Sequence, residues 1–255
     1  MNAKSKKVTL SIVIPSFRQV EELKGALESI SQQSFKDYEV LVIDGGSGDA
    51  VRALVDEFSH LPITLTSEPD QGIYDAMNKG VKKSSGEYLY FLGCDDRLAS
   101  AHALESIFDN AKNKKYDLIY GNVIFTVDNS VYDGKFNKLK LISKNICHQS
   151  IFTKRKVFDL IGGFNVRYKY LADWAFNMEC FSNPAIKIKY VNEIVALYNN
   201  AGSSFSVPDD NFMQDRVALE IKFFPRYVRT FYYRKLGLLL KLKQLLKFSK
   251  KSSIS

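Results

Sequence analysis

One stretch limits what this chain can fold into more than any other: residues 86–97, where a short apolar run ends in two adjacent carboxylates. Residues 88–92 are all apolar or aromatic, which is typical of a strand buried on both faces inside a parallel sheet. Asp95 and Asp96 follow. Ligands of open α/β sheets bind beyond the carboxyl ends of the strands. Paired carboxylate oxygens there suit a hard divalent cation that also binds phosphate; a solvated Asp-Asp turn is the alternative.

Upstream of this stretch, the hydrophobic pattern alternates between two periods. Apolar, β-branched runs predict strands at residues 8–15, 38–43, 63–66 and 88–92. Apolar residues spaced by three and four predict helices over residues 20–33, 50–58 and 73–84. This alternation predicts a doubly wound parallel sheet with right-handed crossovers.

Downstream of residue 97 the alternation is weaker, which predicts a mixed or antiparallel extension of the sheet. The predicted helices there are residues 99–112, 154–161 and 171–181. The predicted strands are residues 116–125, 131–136 and 186–198. We therefore expect an α/β fold whose mostly parallel sheet is flanked by helices.

Acidic residues follow three of the upstream strands. Asp44 ends one run, Glu68 and Asp70 follow the next, and Asp95 and Asp96 follow the fourth strand. Because carboxyl ends of parallel strands meet at one edge of a sheet, these side chains predict a nucleotide site. The motifs GxxxxGK[ST] and GxGxxG do not occur, which argues against a P-loop or a dinucleotide fold.

Four segments, taken in order, resemble the family-2 glycosyltransferases, which have the GT-A nucleotide-sugar fold. They are SIVIPSF at residues 11–17, YEVLVIDGGS at 38–47, DQGIYDAMNKG at 70–80 and SGEYLYFLGCDD at 85–96. Residues 67–80 look most like the subgroup that builds bacterial capsular and exopolysaccharides. The resemblance covers roughly residues 8–205, so we expect a catalytic domain at 1–205 and a basic amphipathic helical tail at 206–255.

The resemblance implies a donor site for a nucleotide-diphosphate sugar, with UDP-sugars favoured. Its donor-binding positions correspond here to Pro15, Ser16, Asp44, Gly45, Asp70, Gly72, Asn78 and Asp95. Pro15 and Ser16 are expected to line the nucleotide pocket, and Asp44 to contact the base.

The resemblance also implies a cation, Mn²⁺ or Mg²⁺, on the donor diphosphate. Asp96 and Asp95 match the metal-binding motif, with Asp96 expected to be the ligand at the β-phosphate. His148 is expected to ligate the metal or to bind the diphosphate, the alternative being an ordinary satisfied histidine. Two positions depart from the family pattern: Gly93 stands where many members have a further Asp, and Met77 where Arg is frequent.

Asp173 matches the position of the family's catalytic base at the start of a late helix. In an inverting transfer such a carboxylate accepts the proton of the attacking hydroxyl, and a helix N-terminus keeps it ionised. The alternative is an acid that only favours the helix start. The neighbouring Trp174 is expected either to stack on an acceptor sugar or to pack in the core. Residues 201–204 resemble a loop that closes over the donor, or form an ordinary Gly-Ser turn.

Charge divides the chain unevenly. The net charge is +8, yet residues 221–255 hold ten of the 36 basic residues and none of the 28 acidic ones. The first 220 residues therefore carry 26 basic and 28 acidic side chains. A basic segment with aromatic and leucine faces favours attachment to an anionic membrane. Nucleic acid is the other anionic partner, but we expect none because no binding motif supports it.

Three widely spaced cysteines give no disulfide or zinc pattern, which favours a reducing compartment. The sequence shows neither a signal peptide nor an apolar run of about 20 residues that could span a bilayer. We therefore expect a cytoplasmic protein that is peripheral at the inner face of the cell membrane. The resemblance implies that it acts on a polyprenyl-diphosphate-linked or oligosaccharide acceptor. A nucleotidyltransferase and a non-catalytic sugar-nucleotide or membrane-binding scaffold are the alternatives.

Overall fold

A nine-stranded mixed sheet organises the computed structural model, which describes residues 8–110, 112–201 and 208–238. The strands are β1 Leu10–Ser16, β2 Tyr38–Asp44, β3 Ile63–Ser67, β4 Tyr88–Phe91, β5 Arg97–Leu98, β6 Leu118–Phe125, β7 Val131–Tyr132, β8 Ile151–Lys154 and β9 Ile188–Tyr198. The helices are α1 Val20–Ser31, α2 Asp49–Glu57, α3 Ile73–Lys83, α4 Ala103–Phe108, α5 Lys138–Leu141, α6 Arg155–Ile161, α7 Ala172–Ser182 and α8 Asp210–Phe223. Residues 226–238 form a further helix, α9.

The strand order is β3-β2-β1-β4-β8-β6-β9-β5, with β7 paired to β6. The first four strands are mutually parallel, whereas β8 is antiparallel to both β4 and β6. The prediction of a parallel sheet with a mixed extension is therefore confirmed. Because β1, β3 and β4 are parallel, the segments that follow them leave the sheet at the same edge.

Both faces of the sheet are covered, which explains why the central strands are apolar without interruption. Leu10, Ile12 and Ile14 of β1 belong to a core with α1, α2 and α4. Val13, between them, belongs to a second core on the opposite face, together with α3, α6 and α7. Alternate residues of a strand point to opposite faces, so both sets must be apolar.

The predicted boundaries agree closely for most elements, with two clear differences. The helix expected over residues 99–112 is shorter, since α4 begins at Ala103 and ends at Phe108. The strand expected over residues 131–136 is only the two-residue β7, because the chain then turns so that the Phe136 amide donates to the hydroxyl of Tyr120, 2.8 Å away.

The described part of the tail packs on this sheet domain. Phe212 of α8 is fully buried, and Phe223, Phe224 and Val228 belong to the same core as α7. None of the helices in the described ranges combines the length and apolar character needed to cross a bilayer. Of the leucine face predicted from sequence, Leu238 is 60% exposed, and the other members, Leu239, Leu242, Leu245 and Leu246, lie outside the described residues.

Candidate active site

Two adjoining cavities open where β1, β3 and β4 end. The first cavity has a volume of about 540 Å³ and the second about 370 Å³. The walls of both include Ile73, Tyr74, Gly93, Asp95, Lys169 and Tyr170. The two spaces are therefore neighbours that share one wall, and a molecule in one lies beside a molecule in the other.

Five of the predicted donor-binding residues line the first cavity: Pro15, Ser16, Asp70, Gly72 and Asp95. The Ser16 hydroxyl is buried there and has no hydrogen-bond partner among the described residues. A buried hydroxyl without a partner costs free energy unless a ligand satisfies it. Ser16 therefore marks a position where the cavity can bind a polar group.

Asp44 and Gly45 support the first cavity without being among its lining residues. Asp44 is fully buried, and its carboxylate accepts hydrogen bonds from the hydroxyls of Ser47 and Ser67 at 2.5 and 2.6 Å. Burial by itself raises the pKa of Asp44, but these hydrogen bonds outweigh it and lower the pKa below its usual range. At Gly45 a Cβ would lie 2.7 Å from the Asp70 carboxylate, so only glycine lets Asp70 approach so closely.

Asn78 lies elsewhere. Its amide donates to the Phe164 carbonyl at 2.8 Å and accepts from the Phe164 amide at 2.9 Å. Asn78 is not among the residues that line either cavity. Its side chain fixes the loop before α7, and its predicted role in donor binding gains no support from this position.

The carboxylates of Asp95 and Asp96 both lie next to Gly93. A Cβ at Gly93 would lie 3.1 Å from an Asp95 carboxylate oxygen and only 2.3 Å from one of Asp96, so the glycine leaves room for both carboxylates. Asp95 lines both cavities. Asp96 is buried and accepts two hydrogen bonds of 2.7 Å, one from the Gln149 side chain and one from the backbone amide of Asn199. Burial, and then the charge of Asp95, raises the pKa of Asp96 to about 6.

These two carboxylates fit a divalent cation. Two neighbouring acids, one of them buried, are held at the price of mutual repulsion, and a cation would offset it. No group of three or more His, Cys, Asp or Glu side chains in the described ranges is arranged to hold a metal ion. A cation on Asp95 and Asp96 would thus depend on further oxygens, such as those of a diphosphate, whose charge it would neutralise.

Asp173 lines the second cavity, as Asp95 does. One of its oxygens accepts from the Tyr74 hydroxyl at 2.8 Å and from the Trp174 amide at 2.9 Å. The other accepts from the Asn145 side chain at 2.8 Å. Of the predicted acidic site residues, Asp95 and Asp173 therefore line a common cavity.

His148 stands beside Asp173. Its Nδ1 lies 3.4 Å from the Asp173 carboxylate, while its Nε2 is buried without a hydrogen-bond partner in the part of the chain that the structure describes. The imidazole is thus next to the predicted base, and the assignment of His148 as a metal ligand stays a prediction.

Several residues of the site were not predicted. Tyr74 and Asn145 bind Asp173, and Asn199 binds both Asp95 and Asp96. Tyr74 lies in an amphipathic helix, where an aromatic residue is usually core, so the sequence offered no distinguishing feature. Asn199 lies two residues before the predicted closing loop, which was the one available clue.

Trp174 packs in the core, which is one of the two roles that the sequence left open. Its indole stacks on Phe212, with ring centroids 5.3 Å apart, and donates to the Leu141 carbonyl at 2.8 Å. It also contributes to the wall of the second cavity. Of the predicted closing loop 201–204, residues 202–204 lie outside the described residues. The three cysteines are free.

Comparison with known proteins gives consistent matches. A family model described as glycosyl transferase family 2 matches residues 11–173. The chain is 40% identical over 210 residues to a Mycobacterium bovis protein named PGL/p-HBAD biosynthesis glycosyltransferase, and the match covers 80% of this chain and 82% of that protein.

Solved structures share the fold at low identity. The crystal structure of S. aureus TarS 1-349 in complex with UDP-GlcNAc superimposes with a TM-score of 0.73 at 16% identity, over 86% of this chain and 68% of that chain. The chain spans only 39% of a longer TarS crystal structure. The mannosyltransferase PcManGT from Pyrobaculum calidifontis, in complex with GDP-Man and Mn²⁺, gives a TM-score of 0.60 at 12% identity, over 92% of this chain and 81% of that chain. These likenesses confirm the predicted GT-A fold.

Proposed function

The chain belongs to glycosyltransferase family 2, and on that premise we propose that it moves a sugar from a UDP-sugar to a hydroxyl of a lipid-linked or growing glycan acceptor. One observation carries the proposal: Asp95 and Asp173 line a single cavity, and Asp95 also lines the neighbouring one. A donor held in the first cavity would present its anomeric carbon at the shared wall. An acceptor in the second cavity would then lie between that carbon and Asp173.

The first cavity is the proposed donor site. Its support comes from the unpartnered hydroxyl of Ser16 and from TarS, which has been crystallised with UDP-GlcNAc. Asp95 and Asp96 would hold Mn²⁺ or Mg²⁺, which would offset the negative charge of the leaving nucleoside diphosphate. The PcManGT complex with Mn²⁺ is consistent with that cation.

The second cavity is the proposed acceptor site, with Asp173 as catalytic base. The acceptor oxygen bonds to the anomeric carbon, the bond from that carbon to the diphosphate breaks, and the acceptor proton passes to Asp173. Attack from the face opposite the leaving group inverts the anomeric carbon. The mycobacterial relative is named for PGL/p-HBAD biosynthesis, so the capsular subgroup expected from sequence stays a prediction.

Attachment at the inner face of the cell membrane completes the proposal. Its support is the excess of basic residues after residue 220 and the apolar side chains exposed on α9. The cytoplasmic location also stays a prediction, consistent with three free cysteines.

Replacing Asp173 by Asn tests this function. The full chain is incubated with UDP-sugars, Mn²⁺ and candidate acceptors, and release of UDP is measured. We expect Asp173→Asn to retain donor binding and to lower kcat by about 10²- to 10⁴-fold, since the positioned proton acceptor is lost. Asp159→Asn, the same change at an exposed position of α6, is the control and should transfer normally.

Other outcomes identify the alternatives. Unchanged turnover in Asp173→Asn contradicts the assignment of the base. Donor binding without turnover, equal in both proteins, indicates the non-catalytic scaffold. Release of sugar 1-phosphate in place of UDP, with the uridylyl group passing to the acceptor, indicates a nucleotidyltransferase.

A further inference from the structure

Helix α9, residues 226–238, carries apolar side chains on two different faces. Towards the body, Val228 is buried, and Tyr232, four residues further on, packs on the same core. Away from it, Tyr227 and Phe231 are 72% and 57% exposed. Residues four apart share a face of a helix, so each pair defines one face. One face is therefore packed on the body, and the other is free to contact a partner.

The inner face is fixed by polar contacts as well as by packing. The Tyr233 hydroxyl donates to the carboxylate of Glu220 at 2.5 Å, and that carboxylate also accepts from Arg216 at 3.0 Å. Glu220 is only 1% exposed. The Arg229 guanidinium donates to the Phe224 carbonyl at 3.2 Å. These contacts attach helix α9 to α8. A surface that binds the outer face of α9 would therefore also position the body.

The outer face is basic and aromatic. Two arginines, Arg226 and Arg234, flank Tyr227 and Phe231 around a shallow groove. Residues 221–238 contain five basic residues and no acidic ones. Exposed aromatic rings next to cationic side chains are the composition of segments that lie in the interface of an anionic bilayer.

We propose that this outer face, formed by Arg226, Tyr227, Phe231 and Arg234, lies on an anionic phospholipid bilayer while the inner face remains docked on the catalytic body. The proposal rests on the function proposed above and specifies how the enzyme meets its lipid-linked acceptor. A second copy of this chain would bring the same positive charges together, which like-charge repulsion disfavours. A single-stranded nucleic acid could also stack bases on these rings, so binding to an oligonucleotide is one of the outcomes that the test distinguishes.

The docked helix would also orient the acceptor cavity. The carboxylate of Asp209, at the start of α8, accepts from the Tyr170 and Leu171 amides at 2.9 and 3.1 Å, and both residues line the second cavity. The Arg216 guanidinium lies 4.9 Å from the ring centre of Trp174, another residue of that wall. Contact between α9 and a bilayer would thus hold the acceptor cavity in one orientation to the lipid surface.

Sedimentation of the full chain with vesicles tests the proposal. Vesicles of phosphatidylglycerol and phosphatidylcholine in equal amounts should bind the protein, and phosphatidylcholine vesicles should not. Arg226→Gln with Arg234→Gln should weaken binding roughly 25-fold, because each basic side chain near an anionic surface contributes about a factor of five. Tyr227→Ser with Phe231→Ser should weaken it roughly tenfold.

The matched control is Val127→Ser with Leu160→Ser, which removes two exposed apolar side chains from other parts of the surface and should leave vesicle binding unchanged. Equal binding by the wild type and both α9 variants overturns the proposal. So does binding to an oligonucleotide in place of vesicles, or self-association that the α9 variants abolish. Transfer to a water-soluble acceptor is measured separately, so failure of the enzymatic function and failure of membrane docking give different results.

Discussion

At the residue scale, Asp173 is constrained on both carboxylate oxygens. Tyr74 and the Trp174 amide bind one oxygen, while Asn145 binds the other and His148 lies close to it. A carboxylate accepts about four hydrogen bonds and three are made by these partners, so the oxygen bound by Asn145 can accept one more from an acceptor hydroxyl. The Tyr74 hydroxyl is also 2.9 Å from the Tyr170 carbonyl, which fixes the phenol beside the carboxylate. Tyr74 is therefore suited to be a positioning residue that holds Asp173 in place for the acceptor.

Replacing Tyr74 by Phe tests that role. The ring would still fill its place in the core, but the hydrogen bond to Asp173 would be lost. We expect kcat to fall about tenfold, equivalent to about 1.4 kcal/mol, with the KM for the donor unchanged. Steady-state kinetics over a range of donor concentrations measures both quantities.

A matched variant shows whether the fall in kcat depends on where the hydroxyl lies or follows from the loss of any tyrosine hydroxyl. Tyr190→Phe removes a phenol that binds Asn122 and Asn192, and Tyr190 is not among the lining residues of either cavity. It should leave kcat unchanged. In the Asp173→Asn background, Tyr74→Phe should cost nothing further, because both changes act through one carboxylate. If Tyr74→Phe lowered kcat in that background by as much as it does in the wild type, Tyr74 would act through a group other than Asp173.

Residue types could be predicted from sequence better than their partners. Asp95 and Asp173 both line the second cavity. The end of a strand singled out Asp95, whereas the family resemblance singled out Asp173. Asn78 stood inside an equally clear motif, yet its amide binds the Phe164 backbone. The choice between a ligand and a neighbouring loop depends on which polar group is closer, and that distance is a property of the folded chain.

At the element scale, the predicted bounds were most accurate for elements whose apolar residues repeat with a single clear period. The helix α3 and the strand β2 begin and end within one residue of their predicted bounds. Strand β7 is short because a polar contact, between Phe136 and Tyr120, replaces the ladder. The division of the chain at residue 205 stays a prediction, and α8, which follows it, packs through Phe212 onto the body.

Replacing Phe212 by Ala tests how much α8 contributes to that body. Phe212 is fully buried, stacked on Trp174 and edge-on to Tyr168. We expect the free energy of unfolding to fall by about 3–5 kcal/mol, as for other large-to-small changes in a core. Urea denaturation followed by circular dichroism measures it. Met213→Ala, one residue along and 51% exposed, should change stability by about 0.5 kcal/mol or less. Equal effects of the two changes would show that α8 is an independent tail.

At the scale of the whole molecule, the site joins two parts of the sheet. The parallel strands place the segments after β1, β3 and β4 at one edge, and this half could be predicted. The other half comes from the mixed extension, which brings Gln149 and Asn199 to the carboxylate of Asp96. Asn199 is 103 residues from Asp96 in sequence. Such a contact depends on the order and register of the strands in the mixed extension, which hydrophobic periodicity does not specify.

The same arrangement predicts that cation and nucleotide stabilise the whole molecule together. The carboxylates of Asp95 and Asp96 both lie next to Gly93. Two adjacent carboxylates alone bind Mn²⁺ weakly, whereas a diphosphate adds the oxygens that complete the coordination of the cation. Saturating Mn²⁺ with UDP should raise the free energy of unfolding by about 2.7 kcal/mol at a hundredfold excess over Kd. For a chain of this length that raises Tm by roughly 5–10 °C. A thermal melt measures this, Mn²⁺ alone should give little change, and EDTA should reverse the joint effect.

Asp95→Asn should abolish the difference between UDP with Mn²⁺ and UDP with EDTA, while the exposed Asp109→Asn should preserve it. If UDP stabilises the protein equally in EDTA, the nucleotide binds without a cation, and the two carboxylates must then stay together for another reason, most simply through the hydrogen bonds from Gln149 and Asn199.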